Sequence, residues 1–253
     1  MAAYSTIMLS KIFSKKKPVS WNGSTLQTDM HSHLLPGIDD GATDWETALG
    51  LVEGLKDLGY SRLITTPHIR QDQFPNTPDI IRRQEHLLQE AIQKKQWNIS
   101  LHAAAEYFLD DHILDLLKKK EPLLTLHGQQ VLVEFSLLHE SPHIQKILFD
   151  LQMSGYQPVI AHPERYTYLH KRYELLHTLK DNGCLFQLNL FGAFGGYGKT
   201  ATEIAQYLIG QDFYDYIGTD LHNLTQLNRL QQLTIHPMLH KLLNSNRLLN
   251  HRL

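Results

Sequence analysis

The sequence has a single cysteine, Cys184, in 253 residues. This excludes an internal disulfide framework and a cysteine-rich zinc site, and it fits a reducing compartment, so the cytoplasm is the expected location. No apolar run approaches the roughly 20 residues that span a bilayer. The N-terminus also lacks a long apolar centre followed by a small-residue cleavage site, so neither a transmembrane segment nor a secretory leader is expected. An excess of charge is missing too. The 24 basic and 26 acidic residues leave a net charge of −2, and no bulk field recruits nucleic acid or an anionic membrane. Hydrophobic and charged shares of 42 % and 20 % are those of an ordinary folded domain, and the length suits one α/β barrel better than two independent folds. Nothing in the composition sets an oligomeric state. Histidine, by contrast, is plentiful, with 16 copies. Several of them, such as His86, His112, His139, His170 and His240, lie in polar or amphipathic surroundings and read as solvated surface.

Residues 1–26 read as a tail or linker, with a short apolar stretch from Ile7 to Phe13 followed by Lys15, Lys16, Lys17 and Pro18. A weak membrane-surface or partner-docking anchor is the alternative for this segment. Residues 27–253 form the expected domain. Within it, segments of strand length and composition at Gln27–His33, Ser61–His68, Ile99–Phe108, Val131–Ser136, Pro158–His162, Cys184–Leu190 and Tyr214–Asp220 alternate with helical stretches. The helical stretches run over Trp45–Leu58, Thr77–Gln96, His143–Met153, Tyr168–Lys180 and Thr200–Ile209. Such alternation predicts parallel strands joined by helical crossovers, and a barrel-like sheet is the economical form. Thr43 and Glu46 have the spacing of a capping box, and Gly59 and Gly155 sit where helices should end. In such folds the chemistry gathers at the carboxyl ends of the strands.

Six of the seven predicted strands end in a metal-binding residue type. The first carries Asp29-Met30-His31-Ser32-His33, followed by a turn with Asp39-Asp40-Gly41. Alternation puts positions 29, 31 and 33 on one face, so His31 and His33 can share an ion with Asp29 behind them as an orienting carboxylate. The other ends carry His68, Glu106, Glu134, His162-Pro163-Glu164-Arg165 and Asp220-Leu221-His222. A lone histidine or glutamate at a strand end is most often a packing or capping residue. Buried together at one end of a sheet, such groups would cost several kcal/mol unless a cation satisfied them. Five imidazoles with Asp40, Glu106, Glu134 and Asp220 are too many donors for one ion and suit two or three. Mixed nitrogen and oxygen donors without thiolate favour Mn2+, Fe or Zn2+ over Ca2+ or Mg2+ alone.

This ordered set resembles the polymerase and histidinol phosphatase (PHP) superfamily. The segments His31-Ser-His-Leu-Leu-Pro-Gly-Ile-Asp-Asp-Gly41, Thr66-Pro-His68, His162-Pro-Glu-Arg-Tyr166 and Gln187-Leu-Asn-Leu190 are similar to one branch of it, the manganese-dependent bacterial protein-tyrosine phosphatases of capsule and exopolysaccharide synthesis. The likeness runs collinearly from about Thr28 to Leu230. It implies a distorted seven-stranded (β/α) barrel with a trinuclear centre. The implied ligands are His31, His33, Asp40, His68, Glu106, Glu134, His162, Asp220 and His222. It also implies Mn2+ as the ion, with Fe, Zn2+, Co2+ or Mg2+ as substitutes, and a phosphotyrosine protein as substrate, such as a bacterial tyrosine kinase.

A metal-activated hydroxide is then the expected nucleophile. Arg165, three residues after His162, is the expected phosphoryl clamp, its bland alternative being a salt bridge with Glu164. Arg70 could approach the same phosphate. Tyr166, Phe191, Phe194 and Tyr197 are candidates for an aromatic mouth. The competing readings are a phosphoesterase for a small phosphomonoester such as histidinol phosphate, and a non-catalytic metal-binding kinase regulator. A cysteine-phosphatase loop is excluded because position 190, six residues after Cys184, is leucine rather than arginine. The segment Ala193–Thr200 nearly satisfies a nucleotide-binding P-loop, but Phe194 and Tyr197 are bulky where backbone amides must cradle phosphate.

Overall fold

The computed structural model describes residues 20–253. The apolar stretch and the lysines of the expected tail lie outside the described residues. Residues 20–26, which the sequence placed in that tail, are packed: Trp21 and Leu26 are buried, and the Trp21 N–H donates to the Leu233 carbonyl.

The strands are β1 (Thr28–Asp29), β2 (Arg62–Thr65), β3 (His68–Ile69), β4 (Ser100–Ala103), β5 (Glu106–Phe108), β6 (Gln130–Glu134), β7 (Gln157–Ala161), β8 (Leu185–Asn189) and β9 (Tyr216–Gly218). The helices between and after them are α1 (Trp45–Asp57), α2 (Pro78–Lys94), α3 (Asp111–Lys119), α4 (Ile144–Met153), α5 (Glu174–Asp181), α6 (Gly198–Gly210), α7 (Leu224–Gln231) and α8 (Pro237–Leu243). All strand pairs are parallel, in a three-stranded sheet β1-β2-β4 and a six-stranded sheet β3-β5-β6-β7-β8-β9. The second and third predicted strands are each broken in two, which makes the barrel distorted. Pro67 has no N–H to give to a ladder, so β2 ends before it and β3 restarts at His68. The partner strand breaks alongside, at Ala104-Ala105.

No ladder joins β9 to β1 among the described residues. The two edges meet through a parallel bridge between Ser32 and Leu221 and through backbone bonds from His33 N–H to Leu221 O and from Asp220 N–H to His31 O. Below this, the buried Asn250 side chain stands in for a rung. Its Nδ2 donates to Thr28 O (3.1 Å) and Ile217 O (2.7 Å), and its Oδ1 accepts from Ile217 N–H (3.0 Å).

Alternation along the strands sorts the core. Leu132, Val159, Ala161 and Tyr216 point into the barrel with Met30, Ile64 and Leu253, whereas Val131, Val133, Ile160, Phe186 and Ile217 pack outward under the helices. Helix α1 buries Ala48, Leu51, Val52 and Leu55, the spacing of one helical face. Its cap is Asp44, not Thr43: the Asp44 carboxylate accepts from Thr47 N–H, and Thr43 donates its hydroxyl to Asp44. Gly59 and Gly155 follow α1 and α4 with φ of 95° and 90°, left-handed turns that favour glycine. No helix among the described residues is long and apolar enough to cross a membrane.

Candidate metal centre

The interior of the barrel is apolar at its lower end and polar at the carboxyl ends of the strands. The register makes this switch: Ala161 lies opposite Gln187, Gln187 opposite Tyr216, and Asn189 opposite Gly218. Above that layer the nine residues expected as ligands converge in four overlapping groups. These are His33, Asp40, His68 and His222; His31, His33 and Asp220; His31, Glu106 and His162; and His68, Glu106 and Glu134. Glu106 is fully buried and central, its Oε2 lying 3.2 Å from His31 Nε2 and 3.3 Å from His68 Nδ1, and its Oε1 3.1 Å from His162 Nε2. Asp40 is the exposed member, 3.4 Å from His68 and 3.5 Å from His222.

Backbone strain accompanies two of these positions. His162 (φ 34°) and Asp220 (φ 51°) occupy the left-handed region, at a cost of about 1–2 kcal/mol each. His162 directly follows β7 and Asp220 stands two residues beyond β9, and both side chains lie in the cluster. Gly218, on β9, is required for space, since a Cβ there would lie 2.6 Å from that of His31.

The tautomers explain why this set fits cations. Gln187 is fixed by its backbone partners, Oε1 accepting from His162 N–H and Nε2 donating to Leu188 O. The Oε1 therefore accepts from His31 Nδ1 (2.9 Å). Asp39 Oδ2 likewise accepts from His33 Nδ1 (2.8 Å). Nitrogen lone pairs are then left on both Nε2 atoms, which face each other across 3.3 Å. His68 Nδ1 and His162 Nδ1 are buried without hydrogen-bond partners. Lone pairs and carboxylates aimed at common points repel one another unless protons or metal ions lie between them. Burial opposes the charged form of His31, but Glu106 and Asp220 outweigh it and raise its pKa to about 9. Burial is likewise overcome at Glu106 and Asp220, which the imidazoles hold well below the usual carboxylate range. His162 goes the other way, lowered by burial and by Arg165. Metal ions bound here would displace those protons.

Three supporting groups were not legible as such. Asp39 orients His33. Gln187 and Asn189 come from the one strand that ends without a ligand: Gln187 orients His31, and Asn189 Nδ2 donates to Asp220 Oδ2 (2.6 Å). Asp29, expected behind the histidines, instead accepts from Thr219 N–H and Oγ1 and braces β9 against β1. Its pKa is raised to about 6 by burial.

Arg165 pairs with Asp220 (Nη1 to Oδ2, 2.9 Å), not with Glu164, and lies over the Tyr197 ring. Glu164 is buried, accepting from Asn189 N–H and Tyr214 OH, and burial raises its pKa to about 7. A cavity of about 330 Å³ opens above the cluster, lined by Asp40, His68, Glu134, Asp220 and His222 on its floor and by Arg70 and Arg165 on its walls. Its aromatic walls are Phe74, Phe108 and Phe135. Of the expected mouth residues, Tyr166 is buried against Phe135, Phe191 is buried, and Tyr197 reaches the site only through Arg165 and Asn189. Lys199 of the P-loop-like segment points to Glu203 on its own helix.

A distorted barrel with this donor set gathered at its carboxyl ends defines a PHP-type protein. The chain matches the family described as "Capsular polysaccharide synthesis, CpsB/CapC" over residues 27–238, and it belongs to that family. It is 27 % identical over 200 residues to the tyrosine-protein phosphatase YwqE of Bacillus subtilis (strain 168), covering 79 % of each chain. Tyrosine-protein phosphatase CpsB of Streptococcus pneumoniae is 28 % identical over 201 residues, 78 % of this chain and 83 % of that one. A solved structure from work on YwqE from Bacillus subtilis and CpsB from Streptococcus pneumoniae, metal-dependent tyrosine phosphatases, superposes with a TM-score of 0.74 at 27 % identity, covering 81 % of this chain and 83 % of that one. The putative histidinol phosphatase hisK of Listeria monocytogenes shares the fold, with a TM-score of 0.50 at 11 % identity over 80 % of this chain and 97 % of that one.

Cys184 is buried, and burial pushes its thiol up to about 11 despite nearby Lys180. At pH 8 it stays a thiol and is a poor nucleophile. Iodoacetamide treatment of the folded protein is expected to leave phosphatase activity intact, as is Cys184→Ala. Loss of more than half the activity on alkylation would show that the thiol takes part.

Proposed function

We propose that this protein is a metal-dependent tyrosine-protein phosphatase that uses Mn2+ and acts in the cytoplasm on phosphotyrosine of a tyrosine kinase of capsule or exopolysaccharide synthesis. The observation that carries the reading is the convergence of five imidazoles and four carboxylates beneath one open cavity. The nine residues His31, His33, Asp40, His68, Glu106, Glu134, His162, Asp220 and His222 would hold the ions. When bound, such ions supply Lewis acidity toward phosphate oxygens and lower the pKa of water.

The rest falls to the chain itself. Asp39 and Gln187 hold two imidazoles in one tautomer and orientation. Arg165 keeps its charge at any working pH, since Asp220 beside it outweighs the cost of burial. With one Nη atom anchored, its remaining donors can take a phosphoryl oxygen and offset charge in the transition state. The cavity is open to solvent, which suits a phosphate carried on a protein side chain.

The test is hydrolysis of a phosphotyrosine peptide, a phosphoserine peptide and histidinol phosphate by chelator-stripped protein, with and without Mn2+. Activity restored by Mn2+ and favouring the phosphotyrosine peptide is expected. Preference for histidinol phosphate would overturn the substrate, and no turnover on any of the three would favour a regulatory role.

A further inference from the structure

Arg70 lines the same cavity as Arg165 and has no part in the reading above. It stands two residues beyond His68, and paired backbone bonds with Phe74 fix its position: Arg70 N–H donates to Phe74 O (3.0 Å), and Phe74 N–H donates back (2.7 Å). Its guanidinium is anchored twice. Nε and Nη2 donate to the two oxygens of Asp72 at 2.8 and 3.1 Å, and the flat face lies over the Phe108 ring, 4.2 Å from its centre. The five donors of the guanidinium fork are fixed in one plane. Anchoring through Nε and Nη2 leaves Nη1 with no acceptor among the described residues, on a side chain that is 28 % exposed.

Arg165 is built the same way, one nitrogen on Asp220 and its face over Tyr197, 4.6 Å from the ring centre. Arg70 follows β3 and Arg165 follows β7, with β5 and β6 between them in the sheet, so the two guanidinia enter from different walls. The cavity between them also carries Asp40, Glu134 and Asp220. Three carboxylates repel a dianionic phosphate, and a single arginine beside the ions balances only part of that charge. A second pre-oriented fork supplies directional donors at no further ordering cost.

Resting on the phosphatase reading, we infer that Arg70 binds the phosphoryl group of the substrate from the wall facing Arg165, and that Asp72 is the positioning residue that fixes its fork. Phe108 sets the plane of the guanidinium and Asp72 sets its rotation, so the fork is ordered at the cavity wall before substrate arrives.

The experiment is calorimetric binding of inorganic phosphate to the Mn2+-loaded protein, with metal content measured by plasma emission and kcat and KM measured on a phosphotyrosine peptide. In Arg70→Ala, phosphate affinity is expected to fall about tenfold, the loss of one charge-assisted hydrogen bond, with KM rising in step and metal content unchanged. Arg70→Lys should recover part of this, because an ammonium has no planar fork, and Asp72→Asn should weaken phosphate about threefold through loosened positioning. Phosphate affinity within twofold of wild type in Arg70→Ala overturns the inference. If the alanine variant loses metal or does not fold, the lysine variant decides by the same limit. Weakened phosphate binding in these variants, alongside a wild type that turns over no phosphotyrosine, would uphold the clamp and overturn the tyrosine-phosphatase reading alone.

Discussion

Glu106→Gln is expected to lower phosphotyrosine hydrolysis by about a thousandfold while the far-ultraviolet circular dichroism stays that of the wild type. The substitution keeps the shape of a fully buried side chain and removes its charge. Glu106 lies within 3.5 Å of His31, His33, His68 and His162, so it is shared between the groups that would hold separate ions. A shared anion that lets two cations sit close together is worth several kcal/mol, and about 4 kcal/mol corresponds to a thousandfold in rate. The variant should also bind less metal at equal free concentration. Stoichiometric metal together with activity within tenfold of wild type would remove Glu106 from the centre.

The second large effect is on stability. Asn250→Ala should cost about 3 kcal/mol, because it leaves the Ile217 N–H and two carbonyls without partners in a buried seam. In a chain of this size that corresponds to a fall in Tm of roughly 6–12 °C. Chemical denaturation with the midpoint compared at constant slope is the measurement. A change below about 1 kcal/mol would mean that the Asp29–Thr219 pair and the Ser32–Leu221 bridge hold the edges together unaided.

The contrast between these two residues marks what was readable in the linear chain. Glu106 was visible because a carboxylate at the end of an apolar run is costly unless something compensates it, and the same held at His31, His33, His68, Glu134, His162, Asp220 and His222. The parallel strands and the carboxyl-end location followed from alternation alone. Asn250 carried no such signal. A short polar residue near the C-terminus looks like any turn residue until the fold places it between two strands that no ladder joins. Asp39 was hidden by Asp40: of two adjacent aspartates in a turn, spacing cannot say which turns inward to His33 and which reaches outward to His68 and His222. Gln187 and Asn189 escaped because amides act here by orienting other donors, and their partners are remote in sequence. The displaced cap at Asp44 and the breaks at Pro67 and Ala104-Ala105 are local effects of one residue, below what periodicity resolves.

The joining of β9 to β1 also bears on how the chain matures. Asp29 and Thr219, which brace that seam, are 190 residues apart, and the cluster beside them draws His31 and His33 from just beyond the first strand and Asp220 and His222 from just beyond the last. Closing so long a loop comes late, because its entropy is lost before any contact across it forms. The full donor set comes into being only when the last strand docks on the first, so its completeness reports the completed fold.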